Sequence, residues 1–222
     1  MKKIHYSTKE YPFSEIIENI LNTKNLRKIH LEDHFENYDV FKREQDQSTK
    51  YHKAYYDSFQ SKLMELYDKF ILNVIRPLYT EKIVYQKIPT FRLHFPGNIA
   101  VGEYHKDKWY RDADWHSEVS ELNYYLPFTK TYGTNTIWVE SEEDKGDFSP
   151  IDSNYGECIE WDGVNLTHGN KKNITNATRI SVDFRVMKES KYKPSNHGSI
   201  NTKTKFEIGG YYRITEKWIV EL

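Results

Sequence analysis

The sequence predicts a mainly β protein with a helical leader, and three observations predict it. Apolar residues recur at helical spacing over the first 80 residues. From residue 82 they recur instead in about eight short runs divided by turn formers. A 15% aromatic share, from 18 Tyr, 11 Phe and 5 Trp, supplies enough apolar mass for one core in a chain of 222 residues. Strands in series with no helix between them point to an antiparallel sandwich or jelly roll. The leading helices then cover one outer sheet.

The elements follow in order. Residues 12–21 place Phe13, Ile16, Ile17, Ile20 and Leu21 on one helical face, with Ser14 as the cap. A longer helix is expected over 48–75, with Tyr55, Phe59, Leu63, Leu66, Phe70 and Val74 as its buried stripe. Pro77 ends it. Strands are expected at 82–88, 90–95, 99–106, 118–128, 135–140, 156–161, 165–168 and 178–187. Pro-Gly at 96–97, Tyr-Gly-Thr-Asn at 132–135, Asp-Lys-Gly at 144–146 and Asp-Gly at 162–163 separate several of them. One domain over 1–222 accommodates all of this: a helical scaffold over 1–80, a β core over 82–187, and an excursion over 188–222 that packs back through its aromatic end.

Charge narrows the function classes. With 32 basic and 33 acidic side chains the chain has no polybasic field for nucleic acid or an anionic membrane. No apolar run reaches the roughly 20 residues of a membrane span, and the first residues lack an apolar signal core. A cytoplasmic protein acting on a small molecule is the expectation. Cys158 stands alone, which excludes an internal disulfide and a cysteine-built metal site.

Four His-x-Asp/Glu pairs occur: His30/Glu32, His34/Glu36, His105/Asp107 and His116/Glu118. The first two fall in helical or linker sequence, where residues two apart do not face each other. His105 and Asp107 end an expected strand, where they share a face. His116/Glu118 is the rival pair, with Glu118 or Asp112 as the alternative carboxylate. His168 then follows a turn, and Arg179 comes eleven residues later. Two imidazoles and one carboxylate leave open positions on a metal, an arrangement suited to ferrous iron with a chelating cosubstrate and dioxygen. A distal carboxylate on that cosubstrate calls for a planar guanidinium. Arg179, Ser181, Asp183 and Arg185 share one face of the strand at 178–187, opposite Ile180, Val182, Phe184 and Val186. Arg185 is the fallback cation.

The ordered set His105-Lys-Asp107, His168-Gly-Asn-x-x-Asn and Arg179-Ile-Ser181 resembles Fe(II)/2-oxoglutarate-dependent dioxygenases, especially the phytanoyl-CoA-dioxygenase-like branch. Residues 101–186 look more narrowly like proteins of streptomycin-type biosynthetic clusters. The resemblance covers about residues 90–187. It implies a double-stranded β-helix of cupin-like jelly-roll type, Fe(II) on His105, Asp107 and His168, and 2-oxoglutarate on Arg179 with dioxygen as oxidant. Relatives that halogenate carry a small residue at the position of Asp107, so hydroxylation or a related oxidation is expected. Strand parity adds Asn123 and Thr136 as further cosubstrate contacts, and Arg92, Tyr125, Trp138, Glu140 and Arg185 as residues lining a polar cavity for a sugar-like or amino-acid-like substrate. A cupin-like sugar binder or isomerase, and a zinc hydrolase on the same ligands, are the competing readings.

Overall fold

The computed structural model describes residues 1–32, 47–100, 103–109, 121–195, 197–199 and 204–215. Helix α1 spans Phe13–Leu21 and ends on Asn22, whose φ of 51° is left-handed. Ser14 does not cap it. Its hydroxyl instead donates to the Phe128 carbonyl at 2.7 Å and so ties the helix to the sheet beneath.

The long helix is a composite. α2, Lys50–Ser58, starts on the Thr49 side chain, which accepts from the His52 amide. A π turn over Phe59–Leu63, α3 over Met64–Phe70 and a second π turn over Ile71–Ile75 continue it, and Pro77 sits in the short 3-10 turn that closes it. Its buried side chains include Tyr51, Tyr55, Phe59, Leu63, Tyr67, Ile71 and Ile75. That constant step of four overshoots an α turn of 3.6 residues. The two looser π turns absorb the excess and hold the stripe on one face. Leu66 and Val74, expected in the stripe, are consequently only partly buried at its margin.

Ten strands are described. They are β1 Lys2–His5, β2 Ile83–Gln86, β3 Thr90–His94, β4 Leu122–Pro127, β5 Ile137–Val139, β6 Ser149–Pro150, β7 Glu157–Trp161, β8 His168–Asn170, β9 Arg179–Lys188 and β10 Tyr212–Ile214. Seven form one sheet in the order β1-β7-β4-β9-β2-β10, with β3 also on β9, and β6-β5-β8 form a second. The strand pairings of both sheets are antiparallel. The fold is thus mostly β, in three layers. Helices pack on one face of the large sheet through Phe13, Ile17, Tyr55, Phe70, Ile180 and Phe184. The small sheet faces the other side, around Tyr125, Val139, Ile151, Ile159 and Trp161. The tail returns through Phe206, Tyr211 and Tyr212, which pack on Val84 and Met187.

Two expected strands are corrected. The described part of 99–106 is not a strand; only His105 pairs, in a single bridge with His168. Beyond it the chain turns aside to place the Asp107 amide on the Gly163 carbonyl at 3.0 Å. The strand expected at 165–168 begins only at His168. Asp162 accepts from the Asn165 amide at 3.0 Å, so the turn at 162–163 runs on through Asn165. Among the described residues no helix is long and apolar enough to cross a membrane.

Candidate metal centre and anion pocket

The bridge between His105 and His168 brings two distant segments together, each amide donating to the other's carbonyl at 2.8 and 2.9 Å. Their imidazoles lie with ring centroids 4.4 Å apart. The Nδ1 atoms face carbonyls, that of His105 at 2.8 Å from the Glu103 oxygen and that of His168 at 2.9 Å from the Leu166 oxygen. A carbonyl only accepts, so each Nδ1 carries a proton, and in the neutral ring the lone pair is on Nε2. Both Nε2 atoms lie 3.8 Å from Asp107 Oδ1. The ligand atoms of His105, Asp107 and His168 all fall within 4.8 Å of one another, and this is the metal-competent cluster among the described residues. The donor set of two imidazoles and one carboxylate fits a divalent first-row metal. His116, Glu118 and Asp112 lie outside the described residues, as do His34 and Glu36. His30 is bound instead to Thr178 Oγ1 at 2.8 Å, away from the cluster.

Asp107 starts a 3-10 turn, Asp107–Trp109, rather than ending a strand. Its Oδ2 accepts from Arg185 Nη2 at 2.7 Å and from Asn123 Nδ2 at 3.1 Å. Trp161, paired with Asn123 across the sheet, sets its ring edge-to-face on His168 at 4.7 Å. Gly163 closes this corner: a Cβ there would stand 2.5 Å from Asn123 Nδ2 and 3.0 Å from the Trp161 ring. Gly163→Ala is expected to lower stability by about 1–3 kcal/mol and to weaken metal binding by displacing Asn123 from Asp107. Paired denaturation and Co(II) titration check both effects.

Desolvation lowers the His168 pKa to about 4, although Asp107 raises it, so the ring is neutral at ordinary pH. Desolvation first, then Arg179, brings His94 down to about 3. Both rings therefore bind protons more readily in the unfolded chain, and stability is expected to rise with pH from about 4 to about 6.5. Denaturant midpoints of the metal-free protein across that window check this; a flat profile contradicts it.

A second polar group lies along β9. Arg179 is almost wholly buried, and its Nε and Nη1 have no hydrogen-bond partner. The Ser181 hydroxyl and the Tyr125 phenol are also buried and unpartnered. Burial pushes the Arg179 pKa down, Tyr125 raises it and Arg92 lowers it further. Along the β4–β9 ladder, Asn123 faces Arg185, Tyr125 faces Asp183 and Pro127 faces Ser181. Tyr125 therefore stands between the Asp107 end and the Arg179 end of one face. A buried cation beside two orphaned hydroxyls is costly unless an anion fills the gap.

The remaining expected residues have other placements. Arg92 pairs with Asp183 at 2.9 Å and, opposite Ser181 in the ladder, shares the face of Arg179 and Ser181. Thr136 spends its hydroxyl on the Ile151 carbonyl at 2.7 Å. Val139 is opposite His168, so Trp138 points away from the metal cluster, donating to the Gly133 carbonyl at 2.8 Å beneath Lys171. Glu140 accepts from the Thr167 and Gly146 amides at 2.6 and 3.2 Å. Sequence reasoning missed Glu121, whose Oε1 lies 3.1 Å from Arg185 Nε, and Tyr211, whose hydroxyl accepts from Arg185 Nη1 at 3.2 Å.

No protein-family model matches the chain. Among solved structures it resembles the non-heme alpha ketoglutarate dependent carbocyclase SnoK from nogalamycin biosynthesis, with a TM-score of 0.56, 96% of this chain and 91% of that chain covered, and 11% identity. That likeness shows a shared fold. In sequence it is 33% identical over 221 residues to the streptomycin biosynthesis protein StrG of Streptomyces griseus, spanning 95% of this chain and 96% of that protein. The alignment takes in nearly the whole of both chains, and on it the chain belongs to the StrG family.

Proposed function

We propose that this protein is an Fe(II)- and 2-oxoglutarate-dependent oxygenase that hydroxylates or otherwise oxidises a small polar metabolite. The observation that carries the reading is Arg179, a buried guanidinium with two unpartnered nitrogens beside the orphaned Ser181 and Tyr125 hydroxyls. In this reading His105 and His168 bind iron through Nε2 and Asp107 binds through Oδ1. Arg179 receives the distal carboxylate of 2-oxoglutarate in a two-pronged pair, with Ser181 and Tyr125 completing the grip. Iron and 2-oxoglutarate, when bound, supply oxidative decarboxylation to succinate and carbon dioxide, coupled to oxidation of the substrate by dioxygen. The apolar wall of Val139, Ile159 and Trp161 keeps water from the imidazoles. Arg92 and Asp183, partly open on the same face, offer donors and acceptors to a sugar-like or amino-acid-like substrate.

The double-stranded β-helix arrangement and the phytanoyl-CoA-dioxygenase-like branch belong to the same reading, supported by the order of the metal and arginine motifs. The name of SnoK, an alpha ketoglutarate dependent carbocyclase, and that of StrG, a biosynthesis protein, are in keeping with it. A cytoplasmic enzyme with no nucleic-acid or membrane partner fits the balanced charge. A cupin-like binder or a zinc hydrolase leaves Arg179 without a role. The test is release of succinate from 2-oxoglutarate under air with Fe(II), against a panel of sugars and amino acids. Stimulation by a polar metabolite is expected. Zinc-dependent hydrolysis with no 2-oxoglutarate turnover overturns the reading.

A further inference from the structure

We infer that Arg185 is a positioning residue for the metal carboxylate, and that the returning tail, through Tyr211 and Tyr212, is a structural part of the metal site. The inference rests on the metal-site reading above and concerns which oxygen of Asp107 is offered to the metal. Arg185 is buried and reaches three partners: Nη2 donates to Asp107 Oδ2, Nη1 donates to the Tyr211 hydroxyl, and Nε lies 3.1 Å from Glu121 Oε1 in an ion pair without hydrogen-bond alignment. Glu121 is buried in turn and accepts from the Tyr212 hydroxyl. With Asn123 also on Oδ2, two donors hold that oxygen, while Oδ1 faces both imidazole Nε2 atoms. A carboxylate gripped in this way binds a metal through one oxygen, and a second cis position stays open for a cosubstrate.

Charge balance supports the same role. A lone guanidinium against Asp107 would cancel the negative charge that draws in a divalent cation. Glu121 offsets Arg185 from its other side, so the three side chains together keep one negative charge facing the imidazoles. The tail supplies the rest of the clamp. Tyr211 and Tyr212 belong to the cluster formed with Phe206, Val84 and Met187, and β10 pairs with β2 beside β9. Residues more than 100 positions after Asp107 thereby fix the angle at which its carboxylate enters the site.

The test is Co(II) titration of the metal-free protein, followed through the visible absorption of the bound ion, whose intensity and band positions report coordination number and geometry. Arg185→Met is expected to weaken Co(II) binding about tenfold to a hundredfold and to change the spectrum as Asp107 becomes free to chelate through both oxygens. Arg185→Lys restores the charge without the fork and is expected to recover part of the affinity. Tyr211→Phe removes one hydroxyl from a packed ring, leaves the fold intact and shifts the spectrum in the same direction by less. Should Arg185→Met fail to fold, Tyr211→Phe alone decides. Wild-type affinity and an unchanged spectrum in the folded variants overturn the inference, provided His105→Ala abolishes binding in the same assay. If His105→Ala also binds Co(II) normally, it is the metal-site reading that fails.

Discussion

Alanine at His105 or at His168 is expected to abolish divalent-metal binding while leaving the protein folded. Each ring supplies one of three protein donors, and its Nδ1 bond to a backbone carbonyl holds it in the tautomer that ligates. Losing only an outer partner of a ligand costs roughly 10–100-fold in affinity, so loss of the ligand itself is expected to exceed that. Folding is expected to persist, because the pairing between residues 105 and 168 runs through backbone groups that alanine retains. His30→Ala and His116→Ala are the controls, and both are expected to bind Fe(II) or Co(II) as the wild type does. Binding lost in His116→Ala and kept in His105→Ala reassigns the ligand set.

Arg179→Met is expected to raise the 2-oxoglutarate dissociation constant about tenfold to a hundredfold, with metal bound. A hydrogen bond to a charged group contributes roughly 1.5–3 kcal/mol, and two nitrogens of this guanidinium have no hydrogen-bond partner within the protein. Arg179→Lys keeps the charge and loses the planar fork, so only part of the affinity returns. A 2-oxo acid without the distal carboxylate provides the internal check. It is expected to bind weakly to the wild type and no worse to Arg179→Met. Unchanged 2-oxoglutarate affinity in Arg179→Met removes the anion-pocket assignment.

The polar face of β9 was legible in the sequence because the eight residues from Arg179 to Val186 alternate polar and apolar, and the pairings with β3 and β4 run along that stretch. The spacing of His105 and Asp107 was legible, but the geometry that unites them was not. They meet through a bridge and a 3-10 turn, not along one strand, because the Asp107 amide is drawn to the Gly163 carbonyl. The helix stripe was read correctly at Tyr55, Phe59, Leu63 and Phe70, whereas Leu66 and Val74 fall one residue short of the buried Tyr67 and Ile75, since π turns leave no mark in an apolar pattern read at α spacing. Strands β1, β6 and β10 escaped notice because they are short, at four, two and three residues; in β1 only Ile4 is buried. The parity of Thr136, Trp138 and Glu140 was visible without the sense of the face. That was set by Val139 lying opposite His168. Arg185 and its partners were the least legible, because Asp107 is 78 residues away in the chain and no local pattern links the two.

The central claim is that His105, Asp107, His168 and Arg179 form one site for ferrous iron and 2-oxoglutarate. Anaerobic titration of the protein with Fe(II) and then 2-oxoglutarate measures this directly, through the weak visible charge-transfer band of the chelated complex. The band is expected to appear and saturate at one equivalent of each in the wild type. It is expected to be absent in His168→Ala, and in Arg179→Met to saturate only at higher 2-oxoglutarate. A protein that binds Fe(II) yet develops no band at any 2-oxoglutarate concentration contradicts the account.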